Sequence, residues 1–360
     1  MKVVFVIPKQ SGGGAEKVIN LIAASLPIID ARCHVKIVTL LADAPTTFGG
    51  SLTPTVSLNA SRVGKSLPAL YRYLKNERPD VVISTLKHVS IMCSVVCFAL
   101  KLRHIIRVAN NYSMELQNVG AAKRLVYRHI LKLSSRLSKE FICVSRGVEL
   151  DLIKNFGVKQ NKTRVIYNPV DPQKPAPHDI DRYAQIYLSP KGAKIFLFVG
   201  RLTKQKNLPF LFECMKTASS TYILWIVGGG PEEAALKELV KKSNLDDRIL
   251  FYGHKNDTAE FYRNADCFVL TSNYEGFPNV LLEAMSYGLP LISINCPSGP
   301  SEIITSLQIG HLISSNDSAG FIAAMENVDK SKGFEVRKEI VCEQHNINKI
   351  SREYYDAICT

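Results

Sequence analysis

Two carboxylates, Glu275 and Glu283, stand eight positions apart in Ser272-Asn273-Tyr274-Glu275-Gly276-Phe277-Pro278-Asn279-Val280-Leu281-Leu282-Glu283-Ala284-Met285. Val269 and Leu270 close an apolar strand just before them. Pro278 suits the first turn of a helix, where its missing N–H costs nothing. Asn279 to Met285 reads as a Leu-rich, buried helix. Glu275 is then expected in the strand-to-helix loop and Glu283 two turns down the helix. Between them the first-turn amides, around Gly276, Phe277, Asn279, Val280 and Leu281, face outward at the positive end of the helix dipole. An anion held there has an acidic hydrogen-bond acceptor on either side. A diphosphate flanked by sugar and ribose hydroxyls meets that description.

A second cluster supplies positive charge. Gly200-Arg201-Leu202-Thr203-Lys204-Gln205-Lys206-Asn207 follows an apolar strand and precedes a helix. Arg201 and Lys206 are therefore expected in a strand-end loop. Cations fixed near a departing diphosphate lower the barrier to its departure. Arg grips phosphate bidentately, and Lys acts as a movable point charge. Glycine-rich turns recur at two other strand ends. Ser11-Gly12-Gly13-Gly14 opens a helix, so the amides of Gly13 and Gly14 can approach a phosphate or a sugar closely. Lys17 stands where the third glycine of the dinucleotide fingerprint belongs, so a nicotinamide-dependent oxidoreductase is not indicated.

The Glu-x7-Glu string, its Gly-Phe-Pro surroundings, the downstream Gly288-Leu289-Pro290 and the Gly-Arg-Leu…Lys-Asn loop together resemble the retaining glycosyltransferases of the GT-B architecture (glycosyl transferases group 1). The resemblance spans nearly the whole chain and is strongest from Val165 to Ile303. It implies that Glu275 contacts hydroxyls of the transferred sugar, that Glu283 contacts the nucleotide ribose, and that Arg201 and Lys206 hold the diphosphate. It also implies that Gly228 and Gly230, in Gly228-Gly229-Gly230-Pro231-Glu232, line the nucleotide pocket, and that His254 forms a wall beside the base. No metal or other cofactor is implied. The co-substrate is a nucleotide-sugar, with UDP-sugars favoured over GDP-sugars. Many such enzymes place a histidine in the first domain near the reacting sugar. Here Ala109-Asn110-Asn111-Tyr112 occupies the equivalent place, which leaves Asn111 and the nearby His88 as acceptor-side candidates. Asp179-Ile180-Asp181 is formally a metal-binding D-x-D triplet, but no apolar strand precedes it.

These loops need a scaffold. The first 170 residues alternate β-branched runs (3–7, 35–40, 81–84, 105–108, 141–144, 164–167) with amphipathic segments, which predicts βαβ units and a parallel sheet. A proline-rich break follows, and the alternation restarts at Lys194–Val199. The predicted class is α/β, with two tandem Rossmann-like doubly wound domains facing a central cleft, where strand ends bind ligands. The expected boundaries are 1–168 for an acceptor-side domain, 169–193 for a linker and loop, 194–340 for a nucleotide-sugar domain, and 341–360 for a helix returning to the first domain. At 360 residues the chain exceeds one ordinary core.

The expected activity is transfer of a sugar to a hydroxyl of a glycan or polyprenyl-linked acceptor, with retention and without metal, in assembly of bacterial surface polysaccharide or glycolipid. A nucleotide-sugar epimerase of the same architecture, or a non-catalytic sugar-nucleotide-binding scaffold at a membrane, are the alternatives. Nine cysteines with no C-x-x-C pair indicate neither a disulfide framework nor a zinc site, and a cytoplasmic location is expected. Met1-Lys2 runs straight into a strand, so no signal peptide is expected. The net charge of +13 calls for an anionic partner, and no nucleic-acid motif accompanies it. Residues 123–139 hold six Lys or Arg and no acid, with apolar residues at 126, 130, 133 and 137. That pattern fits either a helix lying on the inner face of an anionic membrane or a core-facing helix with a basic outer side.

Overall fold

The computed structural model describes residues 1–10, 13–42, 53–117, 119–170 and 192–360. The chain divides into two compact units, Met1–Asp171 with His345–Thr360, and Pro172–Gln344.

The first unit carries seven strands: β1 (Lys2–Ile7), β2 (His34–Leu41), β3 (Thr55–Ala60), β4 (Val81–Thr85), β5 (Arg103–Val108), β6 (Glu140–Cys143) and β7 (Thr163–Val165). They lie in the order β3-β2-β1-β4-β5-β6-β7, every pair parallel, with Val3 opposite both Val35 and Val81. The alternation of side chains along β1 explains why it is central. Val3, Phe5 and Ile7 enter one apolar cluster with Val18, Ile22 and Leu26 of the Gly14–Ile29 helix. Val4 and Val6 enter the opposite cluster with Leu70 and Leu74 of the Leu67–Glu77 helix and Val89, Cys93 and Val96 of the Lys87–Leu100 helix. A strand apolar from Val3 through Ile7 is what a sheet covered on both faces requires. Each such fully buried side chain contributes about 1.5–3 kcal/mol.

The second unit repeats the plan with six strands: β8 (Lys194–Val199), β9 (Tyr222–Val227), β10 (Ile249–Gly253), β11 (Cys267–Leu270), β12 (Leu291–Ile294) and β13 (Gly310–Ile313). Their order, β10-β9-β8-β11-β12-β13, is again wholly parallel. In both sheets the order reverses beside the first strand of the unit, between β1 and β4 and between β8 and β11. Open α/β sheets bind ligands at such a reversal, beyond the carboxyl ends of the strands.

Two strands are not legible in the sequence, β3 and β13. Both are sheet edges. The Thr-Val-Ser-Leu-Asn-Ala of β3 is only half-buried, and β13 has four residues. The returning segment is also shorter than expected. The Phe334–Gln344 helix stays with the second unit, and only His345–Thr360 belongs to the first. There Ile350, Tyr354, Ala357 and Ile358 of the Ile347–Cys359 helix join the β1 core. Arg107 on β5 anchors them: this fully buried guanidinium donates to the Tyr354 hydroxyl at 3.0 Å and to Asn168 Oδ1 at 2.6 Å. Most of the expected linker, 171–191, lies outside the described residues, as do Asp179 and Asp181. Among the described residues no helix is long and apolar enough to cross a membrane.

Candidate active site

In the second unit the loops after β8 and β11 flank the reversal, and a knot of polar contacts joins them. Lys206 Nζ meets Glu275 Oε1 at 2.6 Å. The Ser272 hydroxyl donates to the same oxygen at 2.5 Å. The side chains of Lys206 and Glu275 are only 15% and 8% exposed. Two donors thus converge on Oε1, while Oε2 has no hydrogen-bond partner among the described residues. A carboxylate held this way is fixed in orientation and keeps acceptor capacity for a hydroxyl.

The backbone of the two loops is tied as firmly. The Asn273 amide donates to Gln205 O at 2.8 Å, Gln205 Nε2 donates to Tyr274 O at 2.8 Å, and the Thr271 hydroxyl donates to Lys206 O at 2.9 Å. The Glu275 amide donates to Pro297 O in the loop after β12. Arg201 stands apart from this knot. It is exposed, and among the described residues it forms no hydrogen bond or ion pair. One cation is therefore locked to a carboxylate, and the other is unpaired.

The Gly228–Gly230 turn after β9 packs directly on the Gly200–Leu202 backbone. Gly228 has φ +142°, and a Cβ there would lie 1.9 Å from Gly200 O. A Cβ on Gly230 would lie 2.2 Å from Leu202 O. The Leu202 amide donates to Gly229 O, and the Gly228 amide donates to Gly253 O at the end of β10. These glycines bring three strand-end loops into backbone contact, a structural reason for them that the sequence does not reveal. His254 follows Gly253, is exposed, and sits beside Gly229.

The helix after Glu275 runs from Asn279 to Ser286, with Pro278 at its N-cap position, one residue earlier than expected. Proline offers no side-chain acceptor to the first-turn amides, which remain a positive electrostatic end. Gly276 and Phe277 are buried in the loop, and Asn279 and Val280 are half-buried at the helix start. Leu281 departs from the expectation. Its side chain is fully buried in the core and its amide donates to Pro278 O at 3.0 Å, so it is a packing residue. Glu283 accepts a 3.0 Å hydrogen bond from the Tyr262 hydroxyl. Tyr262 is buried, stacked on Tyr287 at 5.3 Å and tilted against Phe268 at 5.9 Å. Burial and the Glu283 charge raise its phenol pKa, so the proton stays on Tyr262 and is donated. The sequence alone singles out neither Tyr262 nor Ser272. Ser272 stands three residues before Glu275, but Tyr262 is 21 residues from Glu283, a separation with no local periodicity. Cys296 is close enough to feel Glu275 and Lys206. Burial, helped by Glu275, pushes its thiol up to about 12, so it is no nucleophile at neutral pH.

The first-unit candidates occupy the matching strand ends. Gly13 caps the Gly14–Ile29 helix, but its amide already donates to Glu16 Oε2 at 3.1 Å. His88 follows β4, is exposed, and lies edge-on to Tyr127 at 5.7 Å. Partial desolvation and the adjacent Lys87 lower its pKa. Asn111 is buried, and its Oδ1 accepts the Met114 amide at 3.0 Å, capping the Tyr112–Gln117 helix. The loops bearing the two are linked through Glu115, which meets Lys87 at 3.2 Å and accepts from Asn110 Nδ2 at 2.7 Å.

The strand-end loops of the second unit thus gather two cations, a carboxylate pair and a helix start that bears the positive end of its dipole. Comparison with known proteins gives the family. The Glycosyl transferases group 1 profile matches residues 179–343, and the Glycosyltransferase Family 4 profile matches residues 12–174. The UDP-Gal:alpha-D-GlcNAc-diphosphoundecaprenol alpha-1,3-galactosyltransferase of Escherichia coli is 30% identical over 289 residues, 78% of this chain and 74% of that protein. The chain belongs to the group 1 glycosyltransferases. The lipopolysaccharide 1,6-galactosyltransferase of Escherichia coli K12 is 30% identical over 225 residues, 60% of this chain but 57% of that protein. Anabaena HepE, solved with UDP and glucose, superposes with a TM-score of 0.84 at 20% identity, covering 100% of this chain and 99% of that one. That likeness shows the same two-Rossmann-like GT-B fold.

Proposed function

We propose that this chain moves a sugar from a nucleoside diphosphate donor, UDP-linked by preference, to a hydroxyl of a glycan or lipid-linked acceptor, retaining the anomeric configuration and using no metal. The observation that carries the reading is the shared Glu275 oxygen. Lys206 and Ser272 hold Oε1, which leaves Oε2 to accept from a sugar hydroxyl. Lys206 has three N–H donors, and one is spent on Glu275. The others can serve a phosphate oxygen, so the same ammonium orients the sugar reader and stabilises the leaving diphosphate. Exposed, unpaired Arg201 adds a second cation as charge develops. Glu283, steadied by Tyr262, reads the ribose. His254 and the 228–230 turn lie at the base-binding end, and the first-turn amides face the diphosphate. The galactosyltransferase relative, whose name gives UDP-Gal as donor and a diphosphoundecaprenol-linked sugar as acceptor, supports both the donor and the acceptor class. Bacterial surface polysaccharide or glycolipid assembly is the setting these relatives suggest.

The experiment is a thermal-shift series with UDP-, GDP- and ADP-sugars, followed by NMR of the product formed from the stabilising donor. A UDP-sugar should raise the melting temperature most, and the product should keep the donor's anomeric configuration. A product of inverted configuration, or stabilisation by no nucleotide-sugar, refutes the reading.

A further inference from the structure

The Ala121–Leu137 helix of the first unit turns four of its large apolar residues away from the core. Leu125, Val126, Ile130 and Leu133 are 59%, 57%, 36% and 57% exposed. The side turned inward consists of one leucine and two serines, Leu131, Ser134 and Ser135. The serine hydroxyls donate to Leu131 O and Lys132 O, back within the helix. Val126, Ile130 and Leu133 are therefore not the side that faces the core. At 100° per residue the helix has three sides. Val126, Ile130, Leu133 and Leu137 share an arc of about 60°, Leu131, Ser134 and Ser135 share the buried side, and Arg128, Lys132 and Arg136 share the third. The Lys87–Leu100 helix, which packs against this one, exposes Val95 and Phe98 as well.

Scattered exposed apolar residues are ordinary, but four on one short helix are not. The charge around them selects their partner. Lys123, Arg124, Arg128, Lys132, Arg136 and Lys139 include no member of an ion pair among the described residues, and the segment contains no acid. An acidic protein groove would need matching shape, and a second copy of this chain would set one positive helix against another. A sheet of anionic headgroups over hydrocarbon satisfies both sides of the helix at once.

We infer that this helix docks the protein on an anionic phospholipid surface, with the Val126–Ile130–Leu133 arc at the acyl boundary and the Arg128–Lys132–Arg136 arc among the headgroups. The inference does not depend on the proposed chemistry, and its test needs no turnover. The full chain should co-sediment with phosphatidylcholine vesicles doped with phosphatidylglycerol and not with phosphatidylcholine alone, and added salt should weaken the binding. Replacing Lys123, Arg128, Lys132 and Arg136 by Gln should lower the partition by about a hundredfold or more at low salt. Replacing Val126, Ile130 and Leu133 by Ser should also release the protein, although every charge remains. A Val126→Trp variant should shift its emission to the blue with the doped vesicles only, against the constant signal of the buried Trp225. Three results overturn the proposal: equal sedimentation of wild type and both multiple variants, an unshifted emission from the Val126→Trp protein, or a wild-type dimer that the Ser variant converts to monomer without vesicles.

Discussion

At the strand reversal of the second unit, two loops are stitched by several side-chain and backbone contacts around a carboxylate that is nearly sequestered from water. At the same point of the first unit, the glycine turn is closed by its own helix through Glu16, and the β4 loop presents an exposed histidine. One sheet plan therefore carries two differently built sets of strand-end loops. A ligand with fixed features, a diphosphate between two sets of hydroxyls, rewards groups held rigid before it arrives. An acceptor that is delivered on a larger body rewards an open edge and a surface for docking that body. The second unit has the rigid groups that the proposed donor calls for, and the first unit has the exposed apolar and basic helix that we infer docks on lipid.

The largest test of this contrast separates the two cations. Arg201→Ala and Lys206→Ala should each cost about 10²–10³ in turnover. Only Lys206→Ala should also lower stability, by roughly 3 kcal/mol, because it strands the buried Glu275 charge. Denaturant melts of the two variants decide it. Equal stability loss would show that the Lys206–Glu275 knot is not preorganised. Glu275→Ala should follow in size, raising the donor KM and lowering kcat while leaving affinity for free nucleotide diphosphate close to wild type in calorimetry. Equal loss of nucleotide affinity would remove Glu275 from its sugar-facing role.

A third test sets the units against each other in acid. Burial holds His104 of the first unit near 3 and His345 near 4, against about 6.5 in an unfolded chain. His104 contacts the hydroxyls of Ser84 and Ser138, and His345 lies against the Asn168 carbonyl and edge-on to the Tyr167 ring. Below pH 6.5 the unfolded chain binds protons that the folded unit refuses, so stability falls as pH falls, on the order of 1 kcal/mol per pH unit for each imidazole. The second unit has no buried histidine among its described residues. Hydrogen exchange read by mass spectrometry between pH 7 and 5 should show the first unit loosening ahead of the second, and the reverse order would contradict it. Two smaller effects complete the series. Tyr262→Phe should cost about 1 kcal/mol, seen as a several-fold rise in donor KM with kcat nearly kept. Asn111→Ala should cost about 1 kcal/mol of stability through its lost helix cap, with little change in rate if capping is its whole task.

The strands at the centre of each sheet and the loops after β8 and β11 were legible because their signals are local. Continuous apolar runs mark β1 and β9, and glycine, cation and carboxylate recur at fixed short spacings in 200–207 and 272–285. What stayed hidden depends on distant partners. Tyr262 acquires its task only when its short helix is laid beside Glu283. Gly228 and Gly230 read as ligand-facing turns, yet the neighbour that forbids a side chain there is Gly200–Leu202. The edges β3 and β13, half-buried or very short, carry too little apolar pattern to stand out. For residues 121–137 the periodicity was plain, but which side faced inward could not be read, since one leucine and two serines, not the apolar stripe, make that side.

The route of the backbone has a consequence for synthesis. Val170 pairs with Asn346 and its amide donates to His345 O, so the outgoing and returning strands of chain meet at one place in the first unit. The second unit is thus an insertion, complete when residue 344 leaves the ribosome. The first unit must wait, its oldest helix, Gly14–Ile29, lacking the cover of Ile350, Tyr354 and Ile358 until the last turns emerge. The half made first finishes last, and a nascent chain halted before residue 350 should be the form that chaperones hold.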